Sequence, residues 1–373
     1  MKGKFGIISL NFYGNFTNYG SMLQSWALLK AIKKLNESYN CVLVNYCPDF
    51  LKDMDPLNPL KKLRFPDSRS IENCKKSHDD IVINYEKFLS FFYEKCNISK
   101  EKYTSSNIER MVDEGITKFI VGSDTVFCIE ECGYDRGFFA DYECMHQRTI
   151  SYAASFADTD LNELDDDQIE RLFTNFKFIT LREERLIEYV KKHTNVPVKR
   201  VIDPTLLLDL ADYDEITSPR LVTKPYLLIY SRRYNEEIYS LANNLASKNG
   251  WEIVEISLNK DNSQHHKMFY SAGIEEFLSL VKYSEYVVTN SYHGMVFAIQ
   301  NCKPITVFTR TWCDSKISEL LSWIGHKNVD VSTHITIEDS EYPLLQKMIT
   351  MRRKESLTIL DEELKLLEKD EEK

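Results

Sequence analysis

Short apolar runs alternate along the chain with longer stretches whose apolar residues recur at helical spacing. Lys4–Leu10, Cys41–Tyr46, Lys118–Val121, Thr149–Ala153, Phe176–Leu181 and Val198–Ile202 read as strands. Ser21–Lys34, Asp80–Glu94, Asp165–Asn175 and Glu183–Lys192 read as helices. In the first of these helices Met22, Leu23, Trp26, Leu29 and Ile32 form the apolar stripe. Residues 48–70 are rich in Pro, Asp and Lys and read as an excursion. Strands separated by helices predict a parallel sheet covered on both faces. Residues 209–224 are polar, contain Pro219 and run up to Pro225, which marks them as a linker. A second set follows: strands at Tyr226–Tyr230, Glu252–Ile256, Tyr286–Thr289 and Ile305–Phe308, and helices at Asn235–Lys248, Ile274–Val281, Gly294–Gln300 and Ser315–Ile324. Tyr342–Lys373 reads as a charged amphipathic helix with an acidic end. The expectation is an α/β chain of two Rossmann-like, doubly wound domains, 1–208 and 225–335, with 336–373 packing back across them. In such sheets ligands bind beyond the carboxyl ends of the strands, so the site should lie in the cleft between the domains.

Composition narrows the partners. Hydrophobic residues make up 43% of the 373, enough for sizeable cores, and a prior of about 150 residues per domain favours two. The net charge of −10 disfavours general binding to nucleic acid or an anionic membrane, which needs clustered Lys and Arg. No apolar stretch approaches the roughly 18 residues of a membrane span, and Met1–Lys4 leads into a strand-length run and not a secretory leader. Nine scattered cysteines fit a reducing cytosol better than a disulfide framework. A cytoplasmic protein using cytosolic substrates is expected.

Six loops follow strands and carry polar chemistry. Asn15-Phe16-Thr17-Asn18-Tyr19-Gly20-Ser21 ends at a helix that Ser21 would cap, and free backbone N–H groups there favour an anion. It has neither Rossmann nor Walker spacing. Val121-Gly122-Ser123-Asp124 sets a carboxylate at a strand end, either to engage hydroxyls or to cap a turn. Ser151-Tyr152-Ala153-Ala154-Ser155-Phe156 has small residues that admit close approach. Arg182, beside Glu183 and Glu184, offers a two-pronged clamp for carboxylate or phosphate, or a surface ion pair. Asp203-Pro204-Thr205 reads as a structural turn. Thr289-Asn290-Ser291-Tyr292-His293-Gly294 puts hydroxyls, an amide and an imidazole before a helix, where phosphate finds donors and His293 titrates usefully. Cys128, Cys132, Cys144 and His146 lack a standard zinc spacing, so no metal is expected. His265-His266 reads as a solvated pair.

In this order the loops resemble the polysaccharide pyruvyl transferase family. The matching pieces are Asn18–Gln24, Val121–Asp124, Ser151–Phe156, Arg182-Glu183, Asp203–Leu206, and Thr289–Gly294 followed by Lys303-Pro304; they span residue 5 to about 325. The resemblance implies a fold similar to the GT-B glycosyltransferases. It also implies transfer of a pyruvyl group from phosphoenolpyruvate to two hydroxyls of a sugar or lipid-linked oligosaccharide, without a cofactor. A lipid-linked acceptor would bring the protein to the inner membrane face. On this reading His293, Arg182 and Asp124 are the catalytic candidates, with His293 as general acid, Arg182 on the donor and Asp124 on the acceptor hydroxyls. Asn18, Tyr19, Gly20, Ser123, Ser155, Asn290, Ser291, Tyr292, Gly294 and Lys316 are the substrate-binding candidates. Two departures stand out. Thr125-Val126-Phe127 occupies the place where the family often has Gln and Trp, and Lys316 stands where Arg is common and cannot clamp in two-pronged fashion.

Two rival expectations remain. One is a nucleotide-sugar glycosyltransferase of the same architecture. The other is a binding module, which His293 and Arg182 more than about 15 Å apart would favour.

Overall fold

The computed structural model describes residues 3–10, 12–14, 17–62, 68–157, 159–161, 166–232, 234–257, 265–309, 314–327 and 334–369. Asn15 and Phe16 of the first loop, Asp165 at the start of an expected helix, and the end of the acidic tail lie outside them. The strands are β1 Lys4–Ile8, β2 Cys41–Tyr46, β3 Ile98–Tyr103, β4 Ile116–Val121, β5 Thr149–Ala154, β6 Phe176–Leu181, β7 Val198–Arg200, β8 Tyr226–Tyr230, β9 Glu252–Ile256, β10 Lys267–Phe269, β11 Tyr286–Thr289, β12 Ile305–Phe308 and β13 His334–Ile337. The helices are α1 Tyr19–Leu35, α2 Ser68–Lys76, α3 His78–Lys95, α4 Ile129–Cys132, α5 Asp166–Phe173, α6 Glu184–Lys192, α7 Leu210–Asp214, α8 Glu236–Asn249, α9 Ile274–Lys282, α10 Tyr292–Gln300, α11 Asp314–Trp323 and α12 Tyr342–Glu368.

The first sheet is parallel throughout, in the order β3-β2-β1-β4-β5-β6-β7. The second runs β10-β9-β8-β11-β12-β13, parallel except that β13 joins β12 antiparallel. Both are doubly wound, with the strand order reversing beside β1 and β8, where α/β sheets open a crevice. The central strands are apolar runs because both their faces are covered.

A continuous apolar core joins the domains, containing Phe5 and Leu43 of the first sheet and Leu228 and Val287 of the second. Tyr19 is a strut across the boundary: its ring stacks on Phe277 at 4.6 Å and its hydroxyl donates to the Ala272 carbonyl at 2.7 Å. α12 crosses back, where Ser356 accepts from the Ile202 N–H and Arg353 donates to the Leu206 carbonyl. Residues 209–224, read as a polar linker, hold α7, which is closed by reciprocal Asp209–Asp212 capping. Lys30 and Lys34 of α1 pair with Asp212, so this stretch is fastened to the first domain. No helix among the described residues is long and apolar enough to cross a membrane.

Candidate active site in the interdomain cleft

Four strand ends supply the site. After β4, Gly122 has φ 118° and a side chain there would run into the Tyr152 carbonyl, so glycine is required. The turn places Asp124, itself at φ 69°, under the first turns of α1. Asp124 Oδ2 accepts from Ser21 at 2.6 Å and Oδ1 from the Thr125 N–H at 2.9 Å. Asn18 caps α1 by accepting from the Gly20 N–H. This corrects the expectation that Ser21 is the cap: Ser21 lies inside the helix because its hydroxyl is taken by Asp124.

After β6, Arg182 is buried and lines the cleft. Its Nη1 donates to Asp203 Oδ2 at 2.5 Å, its Nη2 lies 3.9 Å from Asp124 Oδ1, and its guanidinium rests 5.3 Å from the Tyr292 ring centre. After β7, Asp203 Oδ1 accepts from the N–H and hydroxyl of Thr205, at 2.9 and 2.6 Å. That is the turn chemistry expected of Asp-Pro-Thr, but it uses only one oxygen. The other faces both Arg182 and, at 3.6 Å, Nε2 of His293 from the second domain. Asp203 is therefore a site residue that the turn reading missed. Its signal was its place at a strand's carboxyl end beside that of Arg182.

After β11, Ser291 caps α10 by accepting from the Gly294 N–H. Tyr292 and His293 are consequently first-turn helical residues and not part of the loop. Asn290 accepts from the Arg232 N–H at 2.8 Å. The His293 ring lies directly over Gly20, where any Cβ would overlap Nδ1. Glycine at position 20 is a requirement of that close approach.

Beyond Arg182 opens a narrow cleft, whose wall includes Arg182, Tyr292 and Lys316 of the expected residues, and also Arg200, Glu319 and Trp323. Arg200 lies 4.0 Å from the Trp323 ring centre and donates to the Arg182 carbonyl. Other expected residues act behind this wall. The Ser123 hydroxyl accepts from the Asp124 N–H, Ser155 donates to Glu183, and the Tyr19 hydroxyl is held by Ala272. His293 and Asp124 are buried immediately behind the Arg182–Asp203 pair. Since Arg182 and His293 approach one carboxylate oxygen, the separation that would mark a mere binding module is absent.

The charges explain the arrangement. Burial alone would raise the Asp203 carboxyl, but His293 and Arg182 outweigh it and hold it well below the usual range. Asp124 is likewise depressed, with burial opposed by Arg182, His293, the Ser21 hydrogen bond and Lys316. Burial works against charge on Arg182, yet Asp203 first and then Tyr292, Asp124 and Glu183 push its pKa up. The pair of buried carboxylates and the guanidinium thus stay ionised at neutral pH. Among the described residues no group of three or more metal-ligating side chains converges, Cys128, Cys132, Cys144 and His146 included. His266 is not solvated: it is buried, with Nδ1 3.0 Å from Glu255 and its ring against Tyr239.

Two parallel-stranded domains meeting at such a cleft define the GT-B class of fold. The structure is similar to UDP-GlcNAc 2-epimerase from Neisseria meningitidis bound to UDP-GlcNAc, with a TM-score of 0.51 and 13% identity over 96% of this chain and 98% of that one. It is similar also to the UDP co-structure of S. aureus MnaA, with a TM-score of 0.49 and 13% identity over 96% and 91% of the two chains. No curated protein matches the chain. The polysaccharide pyruvyl transferase family model matches residues 18–311, and the chain belongs to that family, as an enzyme that transfers pyruvyl groups.

Proposed function

We propose that the enzyme takes its pyruvyl group from phosphoenolpyruvate and sets it as a cyclic ketal on two hydroxyls of a sugar. The observation that carries this reading is the cleft wall itself. Arg182, whose Nε and Nη2 have no hydrogen-bond partner among the described residues, stands there with Arg200 and Lys316. A small donor bearing both carboxylate and phosphate needs such a set, and guanidinium N–H groups bind these anions in pairs.

The chemistry follows in balanced steps. A proton adds to the vinyl carbon of phosphoenolpyruvate and leaves an oxocarbenium-like centre beside the carboxylate. One sugar hydroxyl forms the first C–O bond and loses its proton. The phosphate leaves, and the second hydroxyl closes the ring and loses its proton in turn. Of the two protons released, one balances the proton first added and the other leaves with the phosphate. His293, held between Gly20 and Asp203, is the group assigned to deliver the first proton. Asp203 Oδ2 faces its Nε2 at 3.6 Å, outside hydrogen-bond distance. Asp124 has both oxygens engaged and a depressed pKa, which suits a permanent negative charge orienting Arg182 better than a proton acceptor.

Phosphate release from phosphoenolpyruvate across a panel of methyl glycosides tests the reading. His293→Ala should abolish release while the chain still folds, with a lowered melting temperature from the lost packing on Gly20 and the lost partner of Asp203. Near-normal release by that variant would remove His293 from the role. The epimerase of similar fold binds UDP-GlcNAc. Thermal stabilisation of this chain by UDP-GlcNAc and not by phosphoenolpyruvate would replace the donor assignment.

A further inference from the structure

Glu183 has a buried carboxylate with one oxygen to which no role has yet been given. It is 1% exposed, occupies the cap position of α6 without capping it, and lines the cleft. Its Oε1 accepts from the Ser155 hydroxyl. Its Oε2 is buried with no hydrogen-bond partner among the described residues. A buried carboxyl oxygen left unmatched is costly, and it is retained where a ligand completes it. Glu183 lines the cleft together with Arg182, Arg200 and Glu319, so its carboxylate lies at the wall of the space the substrates would fill. Asp124 is the weaker candidate for this end, since Ser21 and the Thr125 N–H each hold one of its oxygens and Arg182 lies 3.9 Å from Oδ1.

Building on the pyruvyl donor reading above, we propose that Glu183 is the catalytic residue that receives the acceptor. Oε2 accepts a hydrogen bond from the attacking sugar hydroxyl and then its proton. As the sugar oxygen bonds to the ketal carbon, its O–H bond breaks and the proton passes to Oε2, to leave afterwards with the phosphate. Ser155 holds the other oxygen and so fixes the direction in which Oε2 faces. The occupant is a neutral polyol ring, because the anionic donor is matched by Arg182, Arg200 and Lys316 and is repelled by this carboxylate.

Glu183→Gln is the informative variant, because its amide oxygen can keep the Ser155 hydrogen bond while the base is lost. In the phosphate-release assay with the methyl glycosides, its kcat should fall about 100-fold or more, with the KM for phosphoenolpyruvate within about threefold and the melting temperature kept. Turnover within about threefold of the wild type overturns the proposal. If the wild-type chain releases no phosphate from phosphoenolpyruvate, the donor reading fails separately, and titration of the same glycosides decides the acceptor site. Loss of about tenfold in glycoside affinity in Glu183→Ala, about the worth of one hydrogen bond, supports it. Equal affinity in the variant, or no glycoside bound by the wild type, overturns it.

Discussion

Asp203 and His293 face each other across the domain boundary, 3.6 Å apart at Oδ2 and Nε2, while Asp203 Oδ1 is tied into its own turn by Thr205. One carboxylate therefore has a structural oxygen and a site oxygen, and substitution separates them. Asn can keep the turn's acceptor but not the charge; Ala loses both and leaves buried Arg182 with the more distant Asp124, 3.9 Å away, as its ion-pair partner among the described residues. Asp203→Ala should cost about 3–5 kcal/mol of stability, the range for breaking a buried pair. Asp203→Asn should cost clearly less while still lowering phosphate release about 100-fold. Denaturant titration and the release assay, run on both variants, check the split. Equal activity in wild type and Asp203→Asn would make the facing geometry irrelevant to turnover.

The same charges set an acid limit. Asp203 and Asp124 both have folded pKa values below their ordinary range. Above about pH 4 both are ionised in the folded and the unfolded chain, and their stabilisation is fully present. As pH falls further the unfolded chain takes up protons first, and the stabilisation is lost on the way down through the folded values. Unfolding free energy measured from pH 6 to pH 3 should drop more steeply for the wild type than for Asp203→Asn. Parallel curves would contradict the assignment of this charge to Asp203.

The fold was legible because its central strands are buried on both faces and so are unbroken apolar runs, as in Cys41–Tyr46 and Tyr226–Tyr230. What escaped were edges. β3, Ile98–Tyr103, carries Lys100, Glu101 and Lys102 outward, and β10 and β13 are short strands at the rims of the second sheet. α2, with little apolar surface, begins in a stretch read as an excursion. At the site, Arg182 had two sequence readings, an anion clamp or a surface ion pair, and only its place in the ordered set of loops singled it out. Asp203 and Glu183 were not singled out, since each also has an ordinary local explanation in a turn or a helix start. Only the packing shows that Asp203 has a second oxygen to spare and that Glu183 does not cap.

Gly20 offers a test of domain contact by a single methyl group. It sits in the first turn of α1, where Ala would ordinarily favour the helix. Here the added Cβ would overlap the His293 imidazole. Gly20→Ala should thus displace His293 from Asp203, lower phosphate release by about 100-fold and cost about 1–3 kcal/mol through overpacking. A crystal structure of the variant with His293 unmoved would refute the steric argument, and a variant of full activity would refute its link to function.

The C-terminal helix carries an opposite pH dependence. Glu363 of α12 is fully buried against the first domain, and neither of its carboxyl oxygens has a hydrogen-bond partner among the described residues. Burial pushes its pKa well above the ordinary value, with Lys199 opposing this and Glu362 reinforcing it. Below about pH 4 the group is neutral in both folded and unfolded chains. As pH rises past that point the unfolded chain ionises while the buried group stays protonated, so stability declines until the folded pKa is reached. Glu363→Gln cannot ionise and should remove this decline. Its unfolding free energy relative to the wild type should therefore rise as pH increases above about 4.5 and level off once the folded wild-type group ionises, whatever the offset at the acid end. A difference that does not change with pH would show that Glu363 is already ionised in the folded protein, with its charge matched inside the α12 interface.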